Sequence, residues 1–491
     1  MSPEFKEVSV DEDRSTGYVR QKSNSILLNM EEVMRFRLVV FAVIAAFVLA
    51  AGVPAWAQAP AAAAPVPTPT PAPVYAPAPA LGFYVGSFTN VSISGLLAVG
   101  LKQAEVTNTS RPGMTSETRI DDNTSRLIIA SSSKIANGWN VIFRVESRFQ
   151  ADVRPVDPAI NNNVLVGTQS IHNADITGWA DGDTWGGISS PYGSIMFGKS
   201  TVYYADTISV GYLGLPASPG EAQRIWDANG LGTFNILDQV TPTNKAGVAY
   251  ASTFTLGNTR SRNVLRYNSV NYNGFDFQLA WSQNFSGDEL HYVAPGTAGY
   301  ARSYTNGLGL YGTARYNKGP LSVQVSAVEQ RITGGIYSPA AQAGPPDLLA
   351  YRAGASYTLP IGLRIGVVYD HTQYDNSAFN SSASLVADTA AKRDAWLFPI
   401  SYAIGPHAFY FTYGIAGKTT SQADTGATQI NAGYDFALTK RAFVGLWYTS
   451  IKNDKNAHYT PFLSGYSLGP TTNSVTGENW WQLGLNLNYW F

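Results

Sequence analysis

The chain has 491 residues, with 33 Lys and Arg against 34 Asp and Glu, no Cys, 46 Gly, 28 Tyr and 11 Trp. Without Cys there is no disulfide scaffold, thiolate zinc site, iron–sulfur cluster or Cys nucleophile, and a formal charge of −1 offers nucleic acid no clustered basic surface. An aromatic share of 12% beside a mean hydropathy of −0.08 means that apolar residues alternate with polar ones, which argues against a multi-span helical membrane protein.

Residues 1–33 are polar and acidic-leaning (Asp11-Glu12-Asp13) and match no part of an export signal, so they read as an upstream extension, with translation beginning at Met34. Met34-Arg35-Phe36-Arg37, the apolar run Leu38 to Val53, Pro54 and Ala55-Trp56-Ala57 supply the n-region, h-region, helix breaker and A-x-A site of a secretory signal over 34–57. The competing reading is an uncleaved anchor helix, because the run is nearly long enough for a ~30 Å hydrocarbon core. Residues 58–84 form an Ala/Pro-rich tether, with Pro60, Pro65, Pro67, Pro69, Pro71, Pro73, Pro77 and Pro79 spaced for extended polyproline II.

Residues 85–491 change to period two. Over Trp139 to Gln150, Trp139, Val141, Phe143, Val145 and Phe149 fall on one face, and Asn140, Arg144, Glu146, Arg148 and Gln150 on the other. Such alternation marks a strand with one apolar and one polar face. It recurs over 275–282, 321–329, 363–371, 408–415 and 480–491. Short Gly/Asn/Pro turns join strands at 136–138, 190–193, 273–274, 317–320, 359–362, 404–406 and 438–440. Long polar segments separate the pairs at 104–123, 151–182, 201–260, 285–305, 331–348, 375–393, 417–426 and 452–478. Seven hairpins, with one strand at Val91 to Lys102 and one ending at Phe491, predict sixteen strands whose connections alternate short and long. The expected fold is all-β, a 16-stranded antiparallel transmembrane β-barrel with long extracellular loops. Closure follows because lipid tolerates no unpaired strand edge, and no blade repeat of ~40–50 residues supports a propeller. Tyr267, Tyr272, Tyr311, Tyr316, Tyr351, Tyr357, Tyr402, Tyr434, Trp447, Tyr448, Trp480, Tyr489 and Trp490 lie near strand ends, where two interfacial girdles are expected.

Over about 85–491 the sequence resembles bacterial general porins of the trimeric type. The matching pieces, in family order, are Val91 to Leu101 as first strand, Ser125-Arg126-Leu127, Asn137-Gly138 to Arg144, Gly187 to Lys199, Arg262 to Tyr267 followed by Asn273-Gly274-Phe275, and a strand closing on Phe491. The resemblance implies a water-filled channel for passive diffusion of ions and small hydrophilic solutes. It also implies a homotrimer in outer-membrane lipid and lipopolysaccharide, recognition by the barrel assembly machinery through Phe491, and a third long loop, 201–260, folded into the lumen as a constriction. The sequence departs from its relatives in the Pro/Ala tether and in Leu96 and Gly182, where many of them place basic pore residues.

The constriction loop carries Asp206, Glu221, Asp227 and Asp238, and the polar phase of nearby strands offers Arg126, Lys134, Arg144, Arg148, Arg262 and Arg266 as its wall. Acid on the loop opposite base on the wall would set a transverse field, and Arg suits the wall because it stays ionised and presents a fixed fork. Polar residues are also needed simply to wet a lumen, and Arg144 could do no more than pair with Glu146. Barrel-region charges balance, so composition leaves ion preference open, while the arginine-heavy wall tilts it toward anions. No enzyme, cofactor or metal is expected: His172, His291, His371, His407 and His458 are scattered, with no H-x-x-x-H or nucleophile elbow. Asp121-Asp122, or Asp181 with Asp183, could hold calcium, but polar loops explain them equally. Two further readings are a substrate-selective channel, with Tyr203, Tyr204, Tyr212 and Trp226 taking a sugar or an aromatic acid, and a structural barrel that tethers outer membrane to cell wall through the Pro-rich arm.

Overall fold

A computed structural model describes residues 81–491 except 87, 110–115, 123–124, 149–179, 181, 203–239, 243–259, 284–305, 334–346, 381–384, 420–421, 458 and 460–475. The upstream extension, the signal and the tether up to Ala80 lie outside these residues. Every regular element among them is a strand. In chain order these are β1 (Leu81–Val85), β2 (Thr89–Thr107), β3 (Ser116–Asp122), β4 (Arg126–Ala136), β5 (Trp139–Arg148), β6 (Thr184–Ser190), β7 (Gly193–Thr201), β8 (Val240–Pro242), β9 (Arg260–Ser269), β10 (Phe275–Gln283), β11 (Asn306–Lys318), β12 (Leu321–Thr333), β13 (Asp347–Thr358), β14 (Leu363–Asn380), β15 (Leu385–Ile404), β16 (His407–Ala416), β17 (Ala427–Ala437), β18 (Ala442–Asn453) and β19 (Asn479–Trp490).

The barrel strands pair antiparallel with their neighbours in chain order, β7 directly with β9, and β19 pairs with β2, so the sheet closes on itself as the expected 16-stranded barrel. β3 and β4 together serve as the second barrel strand, since both lie along β2. Asn137 and Asn273 take the positive φ (49° and 52°) that the tight turns require. At the seam, Phe491 and Gly95 exchange backbone hydrogen bonds of 2.9 and 3.1 Å. A Cβ on Gly95 would stand 2.3 Å from Phe491 Cζ, so the missing side chain is what admits the ring. β1 occupies residues that the sequence assigns to the tether. It pairs with the start of β2 (Leu81↔Ile93) and prolongs the line of β19 past Phe491.

Two loop expectations shorten. Residues 375–393 are mostly strand, because β14 and β15 pair out to Asn380↔Leu385, and β2 with β3 takes up much of 104–123. Polar and apolar residues do not alternate along these segments, so the signal that marks a strand is missing there.

Register partners share a face, so the pairings assign every strand position to the inside or the outside. Outside stand Trp139, Val141, Phe143, Phe197, Trp281, Trp396, Phe409, Leu485 and Tyr489, all more than a third exposed. Inside stand Gln278, Gln324, Ser326, Gln330, Thr412, Asn431, Thr449, Gln482 and Asn486, all buried. This is the inverse of a soluble core, and it is what lipid outside and water inside demand. The girdle expectation holds for outward Tyr267, Tyr316, Tyr351, Tyr357, Tyr402, Tyr434, Tyr448 and Tyr489. It fails for Tyr311, Trp447, Trp480 and Trp490, which register places inside.

Candidate functional site

The inward phases of β4 and β5 face each other across one ladder, which brings Arg126, Arg144 and Glu146 to one patch. Glu146 is 1% exposed and receives both cations, Arg144 Nη2 at 2.8 Å and Arg126 Nη1 at 3.6 Å. Gly182 makes room for it: the Gly182 N–H donates to the Glu146 carbonyl at 2.9 Å, and a Cβ there would lie 2.4 Å from Glu146 Cγ. Gly182 thus leaves room for a buried carboxylate that two arginines approach. Trp185 is the register partner of Arg144, and its ring lies 6.0 Å from the Arg266 guanidinium. Arg266 Nη1 donates to Ser200 Oγ at 2.5 Å. Arg126, Arg144 and Arg266 thus share the inward phase, with Trp185 between Arg144 and Arg266.

The other predicted residues separate. Lys134 faces inward opposite Asn140 but is exposed near the short-turn rim. Arg148 pairs by backbone with Arg126, which gives it the same phase. Arg262 does not join the wall. Asn263 has a φ of 52° and the β7–β9 register shifts between Gly198 and Ser200, so the extra residue of a bulge breaks the alternation between Arg266 and Arg262. Ser261 instead takes the inward place, bonded to Tyr311 Oη at 2.8 Å, while Arg262 is exposed opposite outward-phase Lys199. Leu96 is inward and 2% exposed. Asp206, Glu221, Asp227, Asp238, Tyr203, Tyr204, Tyr212 and Trp226 lie outside the described residues. Of the connection between β7 and β9, β8 is described: its Val240–Pro242 pairs with Ser377–Phe379 of β14. The chain leaves the fifth barrel strand, β7, and reaches the eleventh before it returns as the sixth, β9.

A second charged cluster on the inner wall escaped the sequence reading. Arg352 Nε and Nη2 donate to Asp370 Oδ2 at 3.1 and 2.9 Å. Arg393 Nη2 donates to Asp370 Oδ1 at 2.5 Å and to Thr372 Oγ1 at 2.7 Å. Nearer the short-turn rim, Arg364 donates to Ser356 and Ser322 at 3.2 and 3.1 Å. Lys102 stands inside 5.8 Å from the Trp447 ring. Sharing the even phase of β13 and β14 was a legible signal for Arg352, Arg364 and Asp370; Arg393 sat in a segment read as loop.

The inner wall is also not uniformly polar, as the two-faced reading had it. Toward the long-loop rim Ala104, Val106, Val328, Leu348, Ala350, Tyr374, Ala391, Ala416, Ile451 and Trp480 belong to one inward apolar belt, each at most 6% exposed. From β16 to β19 the inside is chiefly neutral, with Gln429, Asn431, Thr449, Gln482, Asn486 and Asn488, and Asp435 as its acid. On the outer face His371 Nδ1 and Tyr369 Oη both reach Asp394 Oδ1 at 2.7 Å, and His371 stacks on Tyr351 at 4.7 Å. Among the described residues no group of three or more His, Asp or Glu could hold a metal.

The sequence profile of the Gram-negative porins matches residues 42–456. No curated protein matches the sequence. Among solved structures the chain is similar to an anion-selective porin from Comamonas acidovorans, at 16% identity and a TM-score of 0.54, over 82% of this chain and 100% of that one. It is also similar to OmpF of Salmonella typhi in complex with daunomycin, at 15% identity and a TM-score of 0.50, over 84% and 100%. A third is OmpT of Vibrio cholerae, at 13% identity and a TM-score of 0.50, over 83% and 99%. At these identities the likeness concerns the fold.

Proposed function

The chain belongs to the Gram-negative porin family, and on that premise we propose that its channel prefers anions. As a porin it resides in the bacterial outer membrane and lets solutes diffuse passively through a closed barrel. Its work is that of a channel rather than a catalyst. The observation that supports anion preference is the charge among the inward-phase side chains that the structure describes. There Lys102, Arg126, Lys134, Arg144, Arg266, Arg315, Arg352, Arg364 and Arg393 face Glu146, Asp276, Asp370 and Asp435. A wall with an excess of fixed cations raises the local concentration of anions.

The loop acids Asp206, Glu221, Asp227 and Asp238 would act as the counter-charge across the lumen, a role favoured by the anchoring of β8 on β14, away from β7. Homotrimers would form in the membrane, a state that membership of the porin family favours. Residues 34–57 would be removed on export, and N-terminal sequencing of the mature protein should begin at Gln58.

Planar bilayers under a KCl gradient test the selectivity. The expected reversal potential has the sign of a Cl⁻-permeable pore. A K⁺-selective potential would overturn the anion assignment, and absence of conductance steps from folded protein would overturn the channel itself.

A further inference from the structure

The inner face of the barrel is not evenly open. From β11 to β19 most described inward residues are buried, and this holds down to the short-turn rim, where Ser322, Arg364, Ser401 and Asn488 are at most 7% exposed. At the same rim on β4, β5 and β6, inward Lys134 is exposed and Ser132, Asn140 and Ser189 are half-buried. Farther along these strands, toward the long loops, the Arg126 and Arg144 side chains keep 20% and 31% of their surface exposed. Side-chain size accounts for the contrast. The open stripe is made of small residues, Ala130, Ser132, Gly187, Ser189 and Ser194, whereas Arg364, Tyr410, Phe443 and Trp447 fill the opposite wall. A Cβ on Gly187 would stand 2.2 Å from the Ile195 carbonyl oxygen, so that rung of the stripe stays bare.

We propose that solutes cross the short-turn half of the channel along this stripe, beside β4, β5 and β6 rather than past β11 to β19, with Arg144 and Lys134 as the cations they touch. The inference rests on the channel reading above and gives it a route. Ser hydroxyls and the Asn140 amide offer a hydrated solute both donors and acceptors. Arg144 gives Nη2 to Glu146 at 2.8 Å, keeps the rest of its fork open, and stays ionised. The route also divides the inward cations by role. Arg144 and Lys134 meet the solute directly, while the buried Arg352, Arg364 and Arg393 reach it through a field that salt screens.

The chain has no Cys, so a single introduced thiol reports whether solute reaches its position. Conservative variants compare like with like: Ser132→Cys and Ser189→Cys on the stripe, Ser322→Cys and Ser401→Cys at the same rim on the other wall. Each full-length variant is placed in planar bilayers and treated with the anionic reagent sulfonatoethyl methanethiosulfonate. The thiol displaces methanesulfinate, forms a mixed disulfide and leaves a fixed negative charge at that point. Ser132→Cys and Ser189→Cys should lose current and anion preference, and Ser322→Cys and Ser401→Cys should keep both. Loss at either sealed position, or at neither stripe position, overturns the route. Arg144→Cys should respond to the sign of the label: the anionic reagent lowers its anion-to-cation ratio and the trimethylammonioethyl reagent raises it. Equal ratios under the two labels would take Arg144 off the path. If one variant of a wall gives no SDS-resistant folded form on gels, the other variant of that wall decides. Steps of current that label all positions alike defeat this inference alone, whereas no steps at all from the folded, unsubstituted chain defeat the channel reading beneath it.

Discussion

Glu146 controls the basic wall because Arg126 and Arg144 both close on it. Replacing it by Gln keeps shape and removes one negative charge. At ~4 Å in water a unit charge is worth about 1 kcal/mol, so Glu146→Gln should raise the anion-to-cation permeability ratio by up to about fivefold, read from reversal potentials. Ser at Arg126 and Arg266 should move the same ratio the other way, and unaltered potentials would remove both from the constriction. Arg262→Ser should leave it unchanged, since the bulge at Asn263 turns that side chain away from the wall. Register gives Arg126, Arg144 and Arg266 the inward phase that period-two alternation expects of them. Alternation alone misplaced Arg262 because a bulge leaves no mark on polarity. The Asp370 cluster was invisible for another reason: its arginines lie 18 and 23 residues away in sequence, and only register makes them neighbours.

The short hairpins were the most legible elements, since Asn and Gly supply dihedrals that few other residues tolerate. Strand length was least legible where polar and apolar residues cease to alternate, as at the outer ends of β14 and β15. Gly182 lies just before β6 and owes its small size to the Glu146 side chain rather than to its own backbone. Gly182→Val should force that carboxylate out of place and cost about 1–3 kcal/mol by overpacking. The check is a lower temperature for loss of the folded, SDS-resistant form on gels, with wild-type-like heat resistance refuting the close fit. β8 could not have been foreseen, because three residues carry no periodicity, yet its pairing with β14 fixes where the longest connection touches down.

At the scale of the barrel, the inversion of polarity was readable from composition: aromatics outward, amides and arginines inward, and an average hydropathy near zero. The apolar belt inside was not, because inward Ala, Val and Leu look in sequence like lipid-facing ones that have slipped phase. Fixed charge on the inner wall makes selectivity depend on ionic strength. With a screening length of ~30 Å at 0.01 M and ~3 Å at 1 M, anion preference should be strong in dilute KCl and fade toward molar salt; a constant preference would point to size or specific binding in place of the field.

The meeting of β1 with the closing strand bears on connectivity. Phe491 sits opposite Gly95 and Leu81 opposite Ile93, both antiparallel to β2, with Ser94 alone between those two rungs. A single inserted residue could splice Phe491 to Leu81 and turn the hoop of strands into an endless band. The molecule could then be cut at any long-loop crest and still wrap the same way, so the order in which its staves are laid down is separable from the vessel they make.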